Sequence, residues 1–172
     1  MRFFFTILLS LLTLNISAQI QRSFLGNTLG VSTYDQVRYN MYDKGYQTLE
    51  DHRNKYVSYS DVRFAGYTSK EAYFYFYDKN FYMVTFIIRE TDNTKDTFDS
   101  LKDKLQNKYP KHKDDEEENV VTFHDNTTLL VLRNNTSKEE ISNKYSSLTY
   151  IDLNLSKKRI NDEMNKNYSD EL

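Results

Sequence analysis

The stretch AYFYFYDKNFYMVTFIIRE, residues Ala72 to Glu90, decides the fold. It predicts two antiparallel strands, Ala72–Tyr77 and Phe81–Glu90, joined by a three-residue loop of polar, turn-forming residues, Asp78-Lys79-Asn80. Aromatic residues fill every other position of the first strand, as is typical of a half-buried sheet. The sequence therefore predicts a β-hairpin at the centre of the protein.

The two faces of this hairpin differ in chemistry, because successive side chains of a strand point to opposite sides of the sheet. One face of the first strand carries Tyr73, Tyr75 and Tyr77, whereas the other carries Ala72, Phe74 and Phe76. We expect the phenylalanines to face the core. The second strand is apolar on both faces, which predicts a central strand with a helix on one side and the tyrosines on the other.

Further strands are expected on both sides of the hairpin. Tyr56–Tyr67 reads as extended with a turn or bulge at Gly66, Ser147–Leu155 alternates as a strand, and the charged segment Lys111–Asn119 reads as a loop. A second hairpin, Val120–Phe123 with Thr127–Leu132, turns at His124-Asp125-Asn126.

Helices are expected before, between and after these strands. The first, roughly Thr33–Lys44, has Ser32 as its N-cap with Asp35 in a capping-box-like position, and Gly45 as its stop. The second opens at Thr94 or Asp96, ends at Pro110 and directs Phe98, Leu101, Leu105 and Tyr109 inward. The third, Lys157–Lys166, is capped by Ser156 and directs Ile160 and Met164 inward.

This order of elements predicts an α+β fold. Two helix-plus-antiparallel-meander repeats, at about 28–90 and 92–155, would lay their helices on a mostly antiparallel sheet, with the helix 157–166 closing the chain. We assign them to a single α+β domain, residues 19–172.

The first eighteen residues read as a signal peptide. Arg2 precedes an apolar run, and Ala18 provides the small residue expected before a cleavage site. The run is shorter than the roughly 20 residues that a membrane-spanning helix needs. We therefore expect a protein of the periplasm or the extracellular space, without a transmembrane segment. The C-terminal Ser169-Asp170-Glu171-Leu172 leaves retention in the endoplasmic reticulum lumen as the alternative.

Composition excludes several classes of function. The formal net charge is −2 with Arg2 included, and no basic patch is visible, which argues against a nucleic-acid partner. The chain has no cysteine, so disulfides and a thiol nucleophile are both ruled out. Fifteen tyrosines and eleven phenylalanines dominate its apolar inventory. We expect aromatic packing to build the core.

The search for catalytic or metal-binding motifs gives nothing specific. His52, His112 and His124 are far apart in expected loops and lack metal-ligand spacing. The carboxylates of Asp114 to Glu118 could attract calcium, but they lack the alternation and the glycine of a calcium loop, so a solvated acidic loop is expected. No nucleophile elbow or phosphate loop occurs. We therefore expect no enzyme activity, no metal and no cofactor.

A family resemblance accompanies these patterns. The segment Gly30-Val31-Ser32-Thr33-Tyr34-Asp35-Gln36-Val37, followed by a strand meander, resembles small exported bacterial domains of the β-lactamase-inhibitor-protein and SmpA type. The segment Val62-Arg63-Phe64-Ala65-Gly66-Tyr67 is similar to Bacteroides-type secreted proteins. The second repeat lacks the glycine before its helix, and no inhibitory loop can be matched. The resemblance implies an inhibitor-like or assembly-type binding module and assigns no functional residues.

The tyrosine face is the candidate site. Tyrosine offers a large, stiff, amphipathic surface and is enriched in recognition sites. Tyr73, Tyr75 and Tyr77 are therefore candidate contacts for a protein or glycan partner, with cross-strand stabilisation of the sheet as the simpler explanation. The alternative function is a structural or envelope-assembly protein that associates through an exposed strand edge.

Overall fold

The computed structural model describes residues 19–89, 97–110, 113–117, 119–135 and 145–169. The predicted signal peptide and the residues 170–172 lie outside these ranges. In chain order the elements are β1 (Ser23–Phe24), β2 (Asn27–Thr28), α1 (Tyr34–Asp43), β3 (Thr48–His52), β4 (Tyr56–Phe64), β5 (Tyr67–Tyr77), β6 (Asn80–Arg89), α2 (Thr97–Lys108), β7 (Lys113–Glu117), β8 (Val120–His124), β9 (Thr128–Asn134), β10 (Tyr145–Asp152) and α3 (Leu153–Ser169).

In the described part of the chain, eight strands form one antiparallel sheet in the order β3-β4-β5-β6-β10-β9-β8-β7, and β1 pairs with β2 separately. Each half of the large sheet is a four-strand meander preceded by a helix, α1 before β3–β6 and α2 before β7–β10. The α+β class and the helix-plus-meander repeats are confirmed. The division into one domain remains a prediction.

Each repeat has one strand more than expected. Thr48–His52 pairs with β4 at one edge of the sheet, and Lys113–Glu117 pairs with β8 at the other. The prediction of a loop over Lys111–Asn119 is therefore wrong for 113–117. Neither strand shows apolar alternation, since an edge strand need not carry a core face and charges discourage unwanted pairing there.

The central hairpin turns more tightly than expected. Its loop is Asp78-Lys79, with φ of 50° and 66°, and Tyr77 pairs with Asn80. Two left-handed residues make the turn that fits the twist of a two-residue hairpin. A register shift then places Phe81 opposite Phe76. Regular alternation would put Phe81 on the same face as Met83, whereas the shift sends Phe81 to the core.

The faces of β4 and β5 exchange at Asp61, whose φ is 51°. Tyr59 and Val62 are both buried although they lie three residues apart, and their partners Ala72 and Ser69 are buried too. Regular alternation would put Tyr59 and Val62 on opposite faces, so the left-handed Asp61 between them restores Val62 to the core face, and β4 pairs with β5 on both sides of it.

The helices α1 and α2 cover the phenylalanine face as predicted. Phe74 is fully buried, and Phe76 packs edge-on against Tyr34 of α1 with ring centroids 5.2 Å apart. The inward positions of α2 are all confirmed as buried: Phe98, Leu101, Leu105 and Tyr109. The cap of α1 differs from expectation, because Thr33 and Gln36 form the capping box while Ser32 Oγ accepts the N–H of Thr28 (2.9 Å).

The N-terminal segment, residues 19–32, completes the core. It buries Ile20, Phe24 and Leu29 at 0–1% exposure. The Phe24 ring lies 4.6 Å from the Tyr150 ring and 6.1 Å from the Phe86 ring, so it contacts strands of both repeats. This segment therefore fills the space between the two meanders.

A buried ion pair anchors that segment. Arg22 binds the carboxylate of Asp152, whose side chain is 4% exposed, at the end of β10. The Arg22 guanidinium also donates to the carbonyl oxygens of Leu29 (2.9 Å) and Thr127 (3.0 Å). Because the charges compensate one another and their hydrogen bonds are met, the pair is tolerated in the interior.

Helix α3 starts earlier than predicted and faces differently. It begins at Leu153, and Asp152 Oδ1 rather than Ser156 accepts an N–H of its first turn, that of Leu155 (2.8 Å). Ile160 and Met164, expected to point inward, are 42% and 48% exposed. The polar side chains of α3 contact the sheet instead. No helix in the described ranges combines the length and apolar character needed to cross a membrane.

The first prediction concerns Gly30, whose φ is +78° and whose added Cβ would lie 2.6 Å from Asp152 Oδ2. We expect Gly30→Ala to lower the free energy of unfolding by about 1–3 kcal/mol, because it adds backbone strain and displaces the ion pair. The matched control is Gly66→Ala, with a φ of +84° and no atom near its added Cβ. If urea denaturation shows that both variants lose the same free energy of unfolding, the proposed steric conflict with Asp152 is contradicted.

The second prediction concerns Asp125, which holds the N-terminal segment through the N–H of Ile20 (3.0 Å). Burial alone would raise the pKa of Asp125, but hydrogen bonds from Thr127, Thr128 and Ile20 outweigh it and lower the pKa. The unfolded chain then binds the proton more readily, so this stabilisation is present above about pH 4 and is lost as the pH falls through the folded-state pKa. Asp125→Ala should be less stable at pH 7 and lose less stability between pH 5 and 2.

Urea denaturation across this pH range measures the effect. The exposed Asp103→Ala is the control and should keep the wild-type pH dependence. An unchanged acid dependence in Asp125→Ala would remove Asp125 as its source.

Candidate functional site

The face of the sheet opposite the core carries three rows of side chains, set by the strand register. The first row runs His52, Tyr56, Tyr75, Met83, Ile151, Leu129 and His124. The second runs Glu50, Ser58, Tyr73, Thr85, Thr149, Val131 and Thr122, and the third Ser60, Glu71, Ile87, Ser147, Arg133 and Val120. We call these rows together the outer face.

The centre of the outer face is uncharged. From β4 to β9, across five strands, the first two rows contain no ionisable carboxylate, amine or guanidinium. Except for the buried Ser58, their side chains there are half-buried. At about 4.8 Å between strands, the field is roughly 20–25 Å wide. Charged residues border it: Glu50, Glu71 and Arg133.

One half of this face is aromatic. The Tyr56 ring lies 5.7 Å from Tyr75 and 6.1 Å from Tyr73, and the Tyr73 and Tyr75 rings are stacked at 6.2 Å. His52 stacks on Tyr56 with ring centroids 4.6 Å apart. The Tyr73–Tyr75 contact lies within β5, and the other contacts join neighbouring strands. Each stabilises the sheet by about 0.5–1.5 kcal/mol and helps to hold the rings in a fixed arrangement.

The other half is aliphatic and hydroxylated. Thr85 and Thr149 hydrogen-bond to each other across β6 and β10 (3.0 Å), at the junction of the two meanders. Met83, Ile151 and Val131 surround them. This bond uses one of the two hydroxyl donors, and the aliphatic side chains around it supply most of the contact surface of this half.

The predicted site residues do not stay together. Tyr73 and Tyr75 lie side by side on the outer face, whereas Tyr77 lies under α3. The Tyr77 hydroxyl donates to Asp162, and Lys158 on the same helix binds Asp78 (2.7 Å). Tyr77 is therefore a docking point for α3, whereas Tyr73 and Tyr75 form a pair of their own.

A carboxylate neighbour and burial raise the pKa values of the tyrosines on this face. The Tyr73 hydroxyl donates to Glu71 (2.5 Å), and this hydrogen bond together with burial raises the pKa of Tyr73. The same bond, with one from Lys70, lowers the pKa of Glu71. Burial raises the pKa of Tyr75. These tyrosines are neutral near pH 7 and act as contact surface rather than as bases.

The described residues also form a cleft outside the outer face. That cleft, of about 460 Å³ at the end of α1, is open and lined by Lys44, Gly45, Tyr46, Gln47, Ser60, Asp61 and Arg63. It contains no paired nucleophile and base. No group of three or more potential metal ligands occurs among the described residues.

The histidines and the acidic segment were predicted in loops, and the structure places most of them in strands. His52 was expected in a loop but lies in β3, and His124 ends β8. His112 lies outside the described residues. Asp114–Glu117 belongs to β7, which corrects the loop prediction, and cation binding there remains untested.

Sequence reasoning missed most of the outer face. Tyr56, Met83, Ile151 and Val131 were placed on strands but were not considered as a site. The alternation of Ser147-Leu148-Thr149-Tyr150-Ile151 contains the signal, since it separates an inward Leu148 and Tyr150 from an outward Thr149 and Ile151. Only the order of strands brings these residues next to the tyrosines.

No protein-family model, curated protein or solved structure matches this chain. The resemblance to β-lactamase-inhibitor-protein and SmpA-type domains therefore remains a prediction.

The third prediction tests the role of Tyr77 as a docking point for α3. Tyr77→Phe removes the hydroxyl that donates to Asp162 and keeps the ring. We expect faster amide hydrogen exchange in 157–166, because the helix loses one of its ties to the sheet. Tyr73→Phe is the matched control and should leave exchange in α3 unchanged. Unaltered exchange in Tyr77→Phe would exclude this hydrogen bond as a tie.

Proposed function

We propose that this protein is an exported, non-enzymatic binding module that holds a partner protein on its outer face. The observation that carries the proposal is the uncharged field between β4 and β9, bordered by charged residues. Interfaces between proteins have this organisation, with a core depleted of charge and a polar rim. Partly exposed apolar side chains that lie together within a polar border are typical of an interaction site.

The aromatic half supplies the residue types that dominate binding energy. Tyr56, Tyr73 and Tyr75 are held by ring stacking and by hydrogen bonds to Glu50 and Glu71. Rigid tyrosines lose little conformational entropy when a partner binds. The binding energy would therefore concentrate on this side of the face.

A protein partner fits the outer face better than the glycan that the sequence left open. Sugar recognition needs polar groups beside the aromatic rings to bind the hydroxyls. The centre offers Thr85 and Thr149, which already bind each other, and the aliphatic Met83, Ile151 and Val131. Aliphatic side chains of a partner match this surface more closely.

Assembly through strand edges is less well supported. The edge strand β7 has the sequence KDDEE, and the opposite edge strand β3 includes Glu50 and Asp51. Two copies that met edge to edge would oppose like charges, which destabilises strand pairing. Self-association through an edge remains the alternative function.

Export and the absence of catalysis belong to the same proposal. Export is supported by the apolar leader before Gln19, and a binding role by the lack of convergent catalytic groups within the described ranges. A periplasmic or extracellular location is expected.

The fourth prediction tests the outer face with two variants, Tyr75→Ala and Thr149→Lys. The first removes an aromatic contact, and the second places a charge in the uncharged centre. We expect each to weaken binding of a captured partner by at least about tenfold, the usual cost of losing a central contact. Isothermal titration with the purified partner measures the affinity.

Tyr39→Ala is the control, because Tyr39 is 70% exposed on α1, away from the outer face. Thermal unfolding must show that each variant is folded. Partner affinities that stay at the wild-type value in both outer-face variants would refute the proposal. Capture of a glycan instead of a protein would refute the choice of partner.

A further inference from the structure

One corner of the outer face combines aromatic rings with an open strand edge. His52 and Glu50 lie on β3, Tyr56 on β4, and Tyr73 and Tyr75 on β5. Among the described strands β3 is the last of the sheet on this side, and all five of its residues are exposed. Rings and a free strand edge are therefore accessible from the same side.

The charges of this corner are incompletely paired. Asp51 binds Arg38 (3.1 Å) and accepts the hydroxyl of Tyr34, whereas Glu71 binds Lys70 (3.0 Å). Glu50 accepts the hydroxyl of Tyr56 (2.6 Å) and has no ion-pair partner within the described part of the chain.

The carboxylate of Glu50 lies beside aromatic rings, an arrangement that suits a cation. Its negative charge contributes to the raised pKa of Tyr56, Tyr73 and Tyr75, so its field reaches all three rings. Aromatic faces attract cations, and a nearby carboxylate adds a direct ion pair. A planar guanidinium can stack on a tyrosine ring and bind a carboxylate with two hydrogen bonds, which a lysine ammonium cannot do.

The main-chain groups of β3 indicate how a segment that carries this cation would bind. The N–H of Glu50 binds Ser58 Oγ on β4 (3.2 Å), and the carbonyl of His52 accepts the N–H of Lys55 in the β3–β4 turn (2.8 Å). Because main-chain groups of successive strand residues point to opposite sides, those of Asp51 point to the open edge. They are oriented to pair with a further strand.

We propose that β3 binds an extended segment of the partner protein as an added strand, with an arginine of that segment opposite Glu50 and against the ring of Tyr56. The added main chain provides affinity, and the arginine provides selectivity, as in other cases of strand addition. This deepens the proposed function, since it names the chemistry of the partner at one corner of the outer face.

The test uses a blocked hexapeptide that alternates threonine and arginine, and the same peptide with citrulline in place of arginine. Citrulline keeps the shape of arginine but carries no charge. Titration of the ¹⁵N-labelled protein with each peptide gives the sites and the dissociation constants from amide shifts. We expect the arginine peptide to shift the amides of 49–52 and Tyr56, and to bind at least tenfold more tightly than the citrulline peptide.

The variant Glu50→Gln tests whether binding depends on an ion pair with Glu50 or on non-specific attraction of the cationic peptide. Glutamine lacks the charge but still accepts the hydrogen bond from Tyr56. We expect this variant to bind the arginine peptide about tenfold more weakly and to bind the citrulline peptide with unchanged affinity. Glu163→Gln removes the same charge from α3, where Glu163 binds Arg159 (3.0 Å), and should have little effect.

Three results would overturn the inference. The first is the absence of amide shifts in 49–52. The second is an equal loss of affinity for the arginine peptide in Glu50→Gln and Glu163→Gln. The third is a set of shifts centred on Met83 and Ile151 instead of β3. The last result would leave the outer face as a binding surface and remove only this corner. Conversely, loss of partner binding in Glu50→Gln but not in Tyr75→Ala or Thr149→Lys would retain the corner and remove the wider outer face.

Discussion

The ion pair between Arg22 and Asp152 is the interaction on which the rest of the structure depends. Asp152 ends β10, accepts an N–H from the first turn of α3 and binds the arginine of the N-terminal segment. Arg22 in turn binds the carbonyl of Thr127 in the turn before β9. A buried pair of this kind is costly to break, since loss of one partner leaves the other charge uncompensated in the interior. It fixes Phe24 between the two meanders and sets the direction in which α3 leaves the sheet.

These constraints make the two faces of the sheet different. The N-terminal segment, α1 and α2 cover the phenylalanine side, while α3 contacts Tyr77, Asp78 and Tyr82 near one end of the other side. Within the described ranges, no helix is packed across the centre of the outer face. Its openness follows from how the helices are attached, and the chemistry of the binding surface follows from the register of the strands.

Period-two alternation was sufficient to predict the central hairpin, its core face and the class of the fold. Phe74 and Phe76 are buried as expected because a hydrophobic alternation has only one favourable orientation in a half-buried sheet. The same reasoning failed for β3 and β7, whose stability comes from pairing with a neighbour rather than from an apolar face. It also failed for Ile160 and Met164, because the polar ties of α3 to Tyr77 and Asp78 determine how the helix is turned. Of the candidate site, alternation identified Tyr73 and Tyr75, whereas the aliphatic half depends on contacts between strands far apart in sequence.

The junction of β6 with β10 has a consequence for how the chain folds. Each meander joins neighbours in sequence, but the junction pairs Met83 with Ile151, across most of the second repeat. Contacts of such long separation form late and slow the folding of a domain. Until they form, β6 exposes an apolar strand edge between Phe81 and Ile88 to other chains. The interval before the two halves meet is therefore the stage at which this protein is most prone to aggregate.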